Sequence, residues 1–265
     1  MQPTPSAAAW QPGAEPSLVP YQPLGALGGL GIARLMVLAP HPDDEVFGCG
    51  GLLALAAAQA VPVQVIVLSD GAAGGDAAER EQECRAAAQA LGYCRQQGDL
   101  QFWRLPDRAV VPDAALVQRL ALAMRHGRVD WVLAPSPFEI HPDHRAVCLA
   151  AIEACRIAPA RLGFYEVGQA LMPNCLVDIS AVLARKQRAM QCFASQLALQ
   201  DYGEHITALN RYRAYTLGPA VSHAEAYHLL DAAVLEGGLE GVLASMRQLL
   251  DARFAPAPPE PAASR

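Results

Sequence analysis

Two short clusters hold the residues able to do chemistry. Residues 40–51 read Pro-His-Pro-Asp-Asp-Glu-Val-Phe-Gly-Cys-Gly-Gly, and residues 141–144 read His-Pro-Asp-His. Each directly follows a short apolar run. His41 and Asp44 are three apart where a strand hands over to a helix, and Pro42 stiffens the turn, so both side chains can reach one point. His144 would join them from a parallel loop. Two imidazoles and one carboxylate leave a coordination position open, as a catalytic zinc requires and a structural zinc does not. Such an ion lowers the pKa of a bound water to roughly 7. Asp43 is then expected to collect the proton as that water attacks. His141 is expected to stabilise the oxyanion or protonate the leaving group, and Asp143 to orient the His141 ring and hold it protonated. Alone, Asp43-Asp44-Glu45 at a helix start only compensates the dipole. Two clusters, each at a strand end, point to a zinc hydrolase.

The elements that must position them alternate. Apolar runs at 32–39, 63–68, 100–105 and 131–134 are too short for buried helices and read as strands. Helical patterns over 46–60, 77–91, 113–126 and 143–156 separate and follow them, with Asp113 as a cap and Gly92 as a stop. Alternation at this length implies βαβ units. The expected fold is α/β and Rossmann-like, a mainly parallel sheet with helices on both faces. In such sheets ligands bind at the carboxyl ends of the strands, where both clusters fall. Further strands are expected at 163–167 and 176–179, one long amphipathic helix over 181–199, and a final helix over 239–254. The segment 201–236 is expected to cover one side of the site. Gly48, Gly50 and Gly51 read as close packing of the first helix on the sheet, Cys49 as a small buried residue, and Tyr165 as a buried tyrosine.

Composition narrows the classes. The 265 residues suffice for a substantial core, and 52% are hydrophobic. Residues 1–29 read as an irregular arm, packed through Trp10 and Tyr21. Residues 30–254 read as a single domain and 255–265 as a disordered tail. A net charge of −6 with no basic stripe argues against nucleic acid as a partner. Seven cysteines without paired spacing favour reduced thiols and a cytoplasmic location. No window approaches the ~20 apolar residues of a transmembrane helix, and no signal peptide is evident. Oligomeric state leaves no mark on the sequence.

His41-Pro42-Asp43-Asp44-Glu45 and Gly48-Cys49-Gly50-Gly51, with His141-Pro142-Asp143-His144, resemble the PIG-L / LmbE-like family of zinc-dependent N-acetylglucosamine de-N-acetylases. Arg80-Glu81-Gln82-Glu83 resembles the family's Arg-x-x-Glu helix, and Leu105-Pro106-Asp107 the aspartate after its third strand. Lys186 and Ser195-Gln196 add to the likeness, which spans about residues 32–230. The resemblance implies one Zn²⁺ per chain, or another divalent transition metal, on His41, Asp44 and His144. It implies Asp43 as general base, His141 as the acid or oxyanion group tuned by Asp143, and Arg80 and Asp107 on sugar hydroxyls. The implied substrate is a small molecule or glycan carrying an N-acetylated amino sugar. The alternatives are a metal-dependent hydrolase of a non-sugar amide or ester, and a non-catalytic metal- or glycan-binding protein.

Overall fold

Leu35–Ala39 (β2) is buried along its whole length, because alternate side chains enter two different cores. Met36 and Leu38 pack on one face of the sheet, Leu35, Val37 and Ala39 on the other. That is how a strand covered on both sides reads as an unbroken apolar run. The structure is a computed structural model that describes residues 30–252 and a two-residue strand, Tyr21–Gln22 (β1).

From β2 the chain runs through α1 (Asp44–Ala58), β3 (Val63–Ser69), α2 (Ala77–Leu91), β4 (Leu100–Leu105), α3 (Ala114–Gly127), β5 (Trp131–Pro135), α4 (Pro142–Ile157) and β6 (Arg161–Tyr165). These five strands are parallel neighbours in the order β4-β3-β2-β5-β6. Strand order therefore reverses at β2, and the crevice between the ends of β2 and β5 is the topological switch point. β7 (Cys175–Asp178) and β8 (Ala224–Leu230) extend the sheet, with β8 antiparallel to both β6 and β7. The expected fold class holds.

α1, α2 and α5 (Leu183–Met190) pack on one face; α3, α4 and α9 (Gly238–Ala252) pack on the other. The expected caps are present. Asp113 accepts from Leu116 N, and Gly92 ends α2 in the left-handed region. The glycines of α1 act as spacers. A Cβ on Gly48 would lie 2.3 Å from the Tyr165 ring, and one on Gly51 would lie 2.4 Å from the Ile179 side chain.

Three expectations need correction. The helix expected over 181–199 is broken into a 3₁₀ turn (Ser180–Val182), α5 and α6 (Ala194–Leu197). Phe193, fully buried and 5.6 Å from the Phe47 ring, sits at the break; burying it outweighs helical continuity. The segment 201–236 does more than cover the site, since it holds α7 (Tyr202–Arg213), β8 and α8 (Ala232–Glu236). Within the expected irregular arm, β1 pairs in parallel with β7. The rest of that arm, with Trp10, and the tail 255–265 lie outside the described residues.

Candidate active site

The loops after β2, β3, β4 and β5 meet at the switch point around a cavity of about 230 Å³. Its walls include His41, Asp43, Asp44, His141 and His144, with Phe47 and Tyr202 on the apolar side. Residues 103 apart in sequence come together because β2 and β5 are adjacent, with Val37 opposite Leu133.

Three donor atoms form a nearly equilateral triangle. His41 Nδ1 is 3.2 Å from Asp44 Oδ2 and 3.2 Å from His144 Nε2, and His144 Nε2 is 3.2 Å from Asp44 Oδ2. Zinc bonds of about 2.0–2.1 Å to nitrogen or oxygen give a tetrahedral edge of about 3.3–3.4 Å, so this donor set fits a divalent ion with one corner left open. His141 also brings a ring nitrogen within 4.8 Å of donors on His41 and His144, as Asp107 and Asp143 do around His41. Their roles differ. His141 Nδ1 accepts from Asp143 N at 3.2 Å, and the two carboxylates face the other nitrogen of His41.

The outer nitrogens of both triangle histidines meet carboxylates. His41 Nε2 lies 3.1 Å from Asp107 Oδ1 and 3.4 Å from Asp143 Oδ2. His144 Nδ1 lies 3.3 Å from Glu139 Oε2. Such contacts fix the tautomer that turns the inner nitrogen toward a metal. Burial works against charge on His41, yet Asp107, Asp143 and Asp44 outweigh it and push the imidazole up to about 12. His144, likewise opposed by burial, is raised to about 9, chiefly by Asp44. Asp44, although buried, is held below the ordinary carboxylate range by His144 and His41. The surroundings thus favour net positive charge at the triangle, which a dication supplies.

Asp43 stands beside this group in a backbone conformation rare for a residue with a side chain, φ 137° and ψ −33°. Strain of this kind costs about 1–3 kcal/mol and needs surrounding support. The support is visible. Asp43 O accepts from Val46 N and Phe47 N, both at 2.9 Å, and Arg80 Nη2 donates to Asp43 Oδ2 at 2.9 Å. Asp43 Oδ1 accepts no hydrogen bond from the described residues. Burial and then the Asp44 charge raise the Asp43 carboxyl to about 8, against the pull of Arg80 and His41. A carboxyl poised near neutrality suits proton transfer.

Asp143, Asp107 and Arg80 make contacts within the chain that the sequence did not indicate. Asp143 does not orient His141 through its carboxylate, which instead accepts from Arg108 N at 2.7 Å and Val110 N at 3.3 Å and faces His41. It is the backbone N–H of Asp143 that holds the His141 ring. Burial, then the charges on His41 and His144, push the His141 imidazole below its ordinary value, and its Nδ1 serves as an acceptor. Its Nε2 is left to carry the ring proton. Asp107, expected on sugar hydroxyls, spends Oδ1 on His41 and Oδ2 on Ala73 N. Arg80, expected on the same hydroxyls, is 4% exposed and donates to Gly71 O, Pro42 O and Asp43. Both line the cavity, and there they support His41 and Asp43. Gly71, at φ 66°, lets the Arg80 guanidinium lie against its Cα; a Cβ there would be 2.4 Å from Nη1.

Sequence reasoning passed over Glu139, whose only signal was its place two residues before His141. It also passed over Glu225, the buried partner of Lys186 at 2.7 Å. Ser195 and Gln196 find roles beside the cavity: Ser195 is held by Glu83, and Gln196 Nε2 donates to Gly74 O.

Fold and site together define an α/β protein with a buried His/Asp centre able to hold a metal ion, next to Asp43 and His141. The family model for GlcNAc-PI de-N-acetylase, PIG-L, matches residues 36–155. "Uncharacterized deacetylase YaiS" of Escherichia coli K12 is 30% identical, over 49% of this chain and 72% of that protein. Diacetylchitobiose deacetylase of Thermococcus kodakarensis is 28% identical, over 62% of this chain and 70% of that protein. A protein of different named activity, 4-oxalmesaconate hydratase of Pseudomonas putida, is also 28% identical, over 63% and 75%. The crystal structure of conserved protein TT1542 from Thermus thermophilus superposes with a TM-score of 0.67 at 32% identity, covering 74% of this chain and 94% of that one. The chain belongs to the PIG-L family of deacetylases. Among the described residues no helix is long and apolar enough to cross a membrane, and all seven cysteines are free thiols.

Proposed function

We propose that this protein is a zinc-dependent hydrolase that removes the acetyl group from an N-acetylated amino sugar, giving acetate and a free amine, and that it works in the cytoplasm. The observation that carries the reading is the 3.2 Å triangle of His41 Nδ1, Asp44 Oδ2 and His144 Nε2 with Asp43 and His141 beside it. Asp43 and His141 are not needed to hold a metal, so their presence favours turnover over mere binding. A zinc ion bound there would supply Lewis-acid polarisation of the acetamide carbonyl and acidify a water molecule.

The chain's own groups do the rest. Asp43 takes a proton from the attacking water through its free Oδ1, while Arg80 fixes Oδ2. His141 Nε2–H, held by the Asp143 N–H on the far side of the ring, donates to the oxygen that gains charge. The C–N bond breaks as the proton held by Asp43 passes to the departing nitrogen. Water is consumed and no other reactant is required.

The named substrates of the Thermococcus protein and of 2'-N-acetylparomamine deacetylase of Streptomyces fradiae support an amino-sugar substrate. The hydratase relative supports a second reading, in which the same centre adds water to an unsaturated acid. The test is a mass-shift screen for loss of one acetyl group across N-acetylated glycans, with and without chelator and zinc. Zinc-dependent acetyl loss is expected. Hydration of 4-oxalmesaconate without acetyl loss from any glycan would replace the first reading by the second.

A further inference from the structure

Glu139 is an ionisable side chain with no solvent exposure that the reaction above does not use. Burying a carboxylate costs several kcal/mol unless its lone pairs are filled. Here backbone N–H groups fill most of them: Oε1 accepts from Val167 N at 2.9 Å and Gln169 N at 3.3 Å, and Oε2 from Gly168 N at 3.1 Å. Val167 and Gly168 form part of the cavity wall. The remaining direction of Oε2 faces His144 Nδ1 at 3.3 Å. That ring nitrogen is fully buried and makes no well-aligned hydrogen bond, so Glu139 is the acceptor available to it.

We propose that Glu139 is a positioning residue that ties the metal-binding state of His144 to the 167–169 wall of the cavity. Its anion selects the His144 tautomer with the proton on Nδ1 and the lone pair of Nε2 turned to Asp44 and His41. Three amides hold the anion in place, so the order of the wall and the orientation of the ligand depend on one another. A neutral amide at 139 would keep the volume but turn an NH₂ group toward either the backbone donors or the imidazole. The inference rests on the metal site proposed above.

The loop has a second anchor that does not touch His144. Glu166 accepts from Arg213 Nη2 at 2.6 Å, Arg213 Nε at 2.9 Å and Leu171 N at 2.8 Å. Zinc affinity, measured on the full chain by competition with a chromophoric chelator, separates the two anchors. Glu139→Gln should bind zinc about 10–100-fold more weakly, the usual cost of losing a carboxylate behind a ligand histidine. Glu166→Gln, which leaves the amide contacts to Glu139 and the Glu139–His144 contact in place, should lose clearly less affinity than Glu139→Gln. If Glu139→Gln fails to fold, Gly168→Ala carries the test, because its Cβ would sit 3.0 Å from Glu139 Oε2 and press it off His144. Unchanged zinc affinity in the folded variant overturns the proposal, and so do equal losses in Glu139→Gln and Glu166→Gln, since loop order alone would then set affinity. Failure of the unaltered protein to bind zinc overturns the metal site itself and this role with it. Absence of deacetylation alongside the expected affinity pattern leaves the role of Glu139 supported.

Discussion

Gly48→Ala offers a sharp test of how α1 is seated. The new Cβ would lie 2.3 Å from Tyr165 Cδ2 and 2.7 Å from Cε2, more than 1 Å inside ordinary contact. The ring has no room to retreat, being fully buried, with its hydroxyl donating to Leu38 O at 2.8 Å on the central strand. Overpacking of this kind costs about 1–3 kcal/mol. Swinging the ring away strands a buried hydroxyl and carbonyl, about 1–3 kcal/mol more. Alanine recovers at most about 1 kcal/mol of helix propensity over glycine. The expected net loss is about 1–5 kcal/mol, read by urea unfolding. Tyr165→Leu in the Gly48→Ala background should be less damaging than the sum of the single changes, with a coupling of about 1 kcal/mol or more. A Gly48→Ala protein within about 0.5 kcal/mol of the parent, or strict additivity with Tyr165→Leu, would refute the claim that glycine is there to admit the ring.

Further outcomes follow from other contacts. Asp43→Asn should lose about 10²–10⁴-fold in turnover while keeping its metal; near-normal turnover at saturating zinc would remove Asp43 as the base. His144→Ala should carry sharply less zinc than the parent by elemental analysis, and equal contents would break the triangle assignment. Lys186→Met should cost about 3–5 kcal/mol in urea unfolding, because it leaves Glu225 buried without its ion-pair partner; a loss under about 1 kcal/mol would mean that Gly51 N, Leu52 N and Tyr227 suffice for that carboxylate. His228 donates from Nδ1 to Met172 O, has an unpartnered buried Nε2, and is pushed below its ordinary pKa by burial. The unfolded chain therefore takes up this proton first: the His228 contribution is full above about pH 6.5 and falls as pH drops toward the folded value. His228→Gln should flatten the stability difference between pH 7.5 and 5.5 relative to the parent, and an unchanged slope would contradict the assignment.

The local parts of this protein were written in its sequence. His41 and Asp44 lie on one turn, and Gly92 and Asp113 mark helix ends, because these arrangements depend on residues within four positions of one another. The alternation of apolar runs and helical patterns was enough to set a mainly parallel sheet, and with it the end of the sheet where chemistry collects. Partner choice across the site belongs to tertiary structure. The adjacency of β2 and β5 brings His144 to His41, and the loop after β4 brings Asp107 to the outer nitrogen of His41 rather than to a free place in the cavity. Arg80 turns back under Gly71 to grip Asp43, and Glu139 gathers amides from a loop some thirty residues on. The break at Phe193 and the strand in 224–230 were hidden for the same reason: each is decided by which distant surface remains to be covered, and no local periodicity records that.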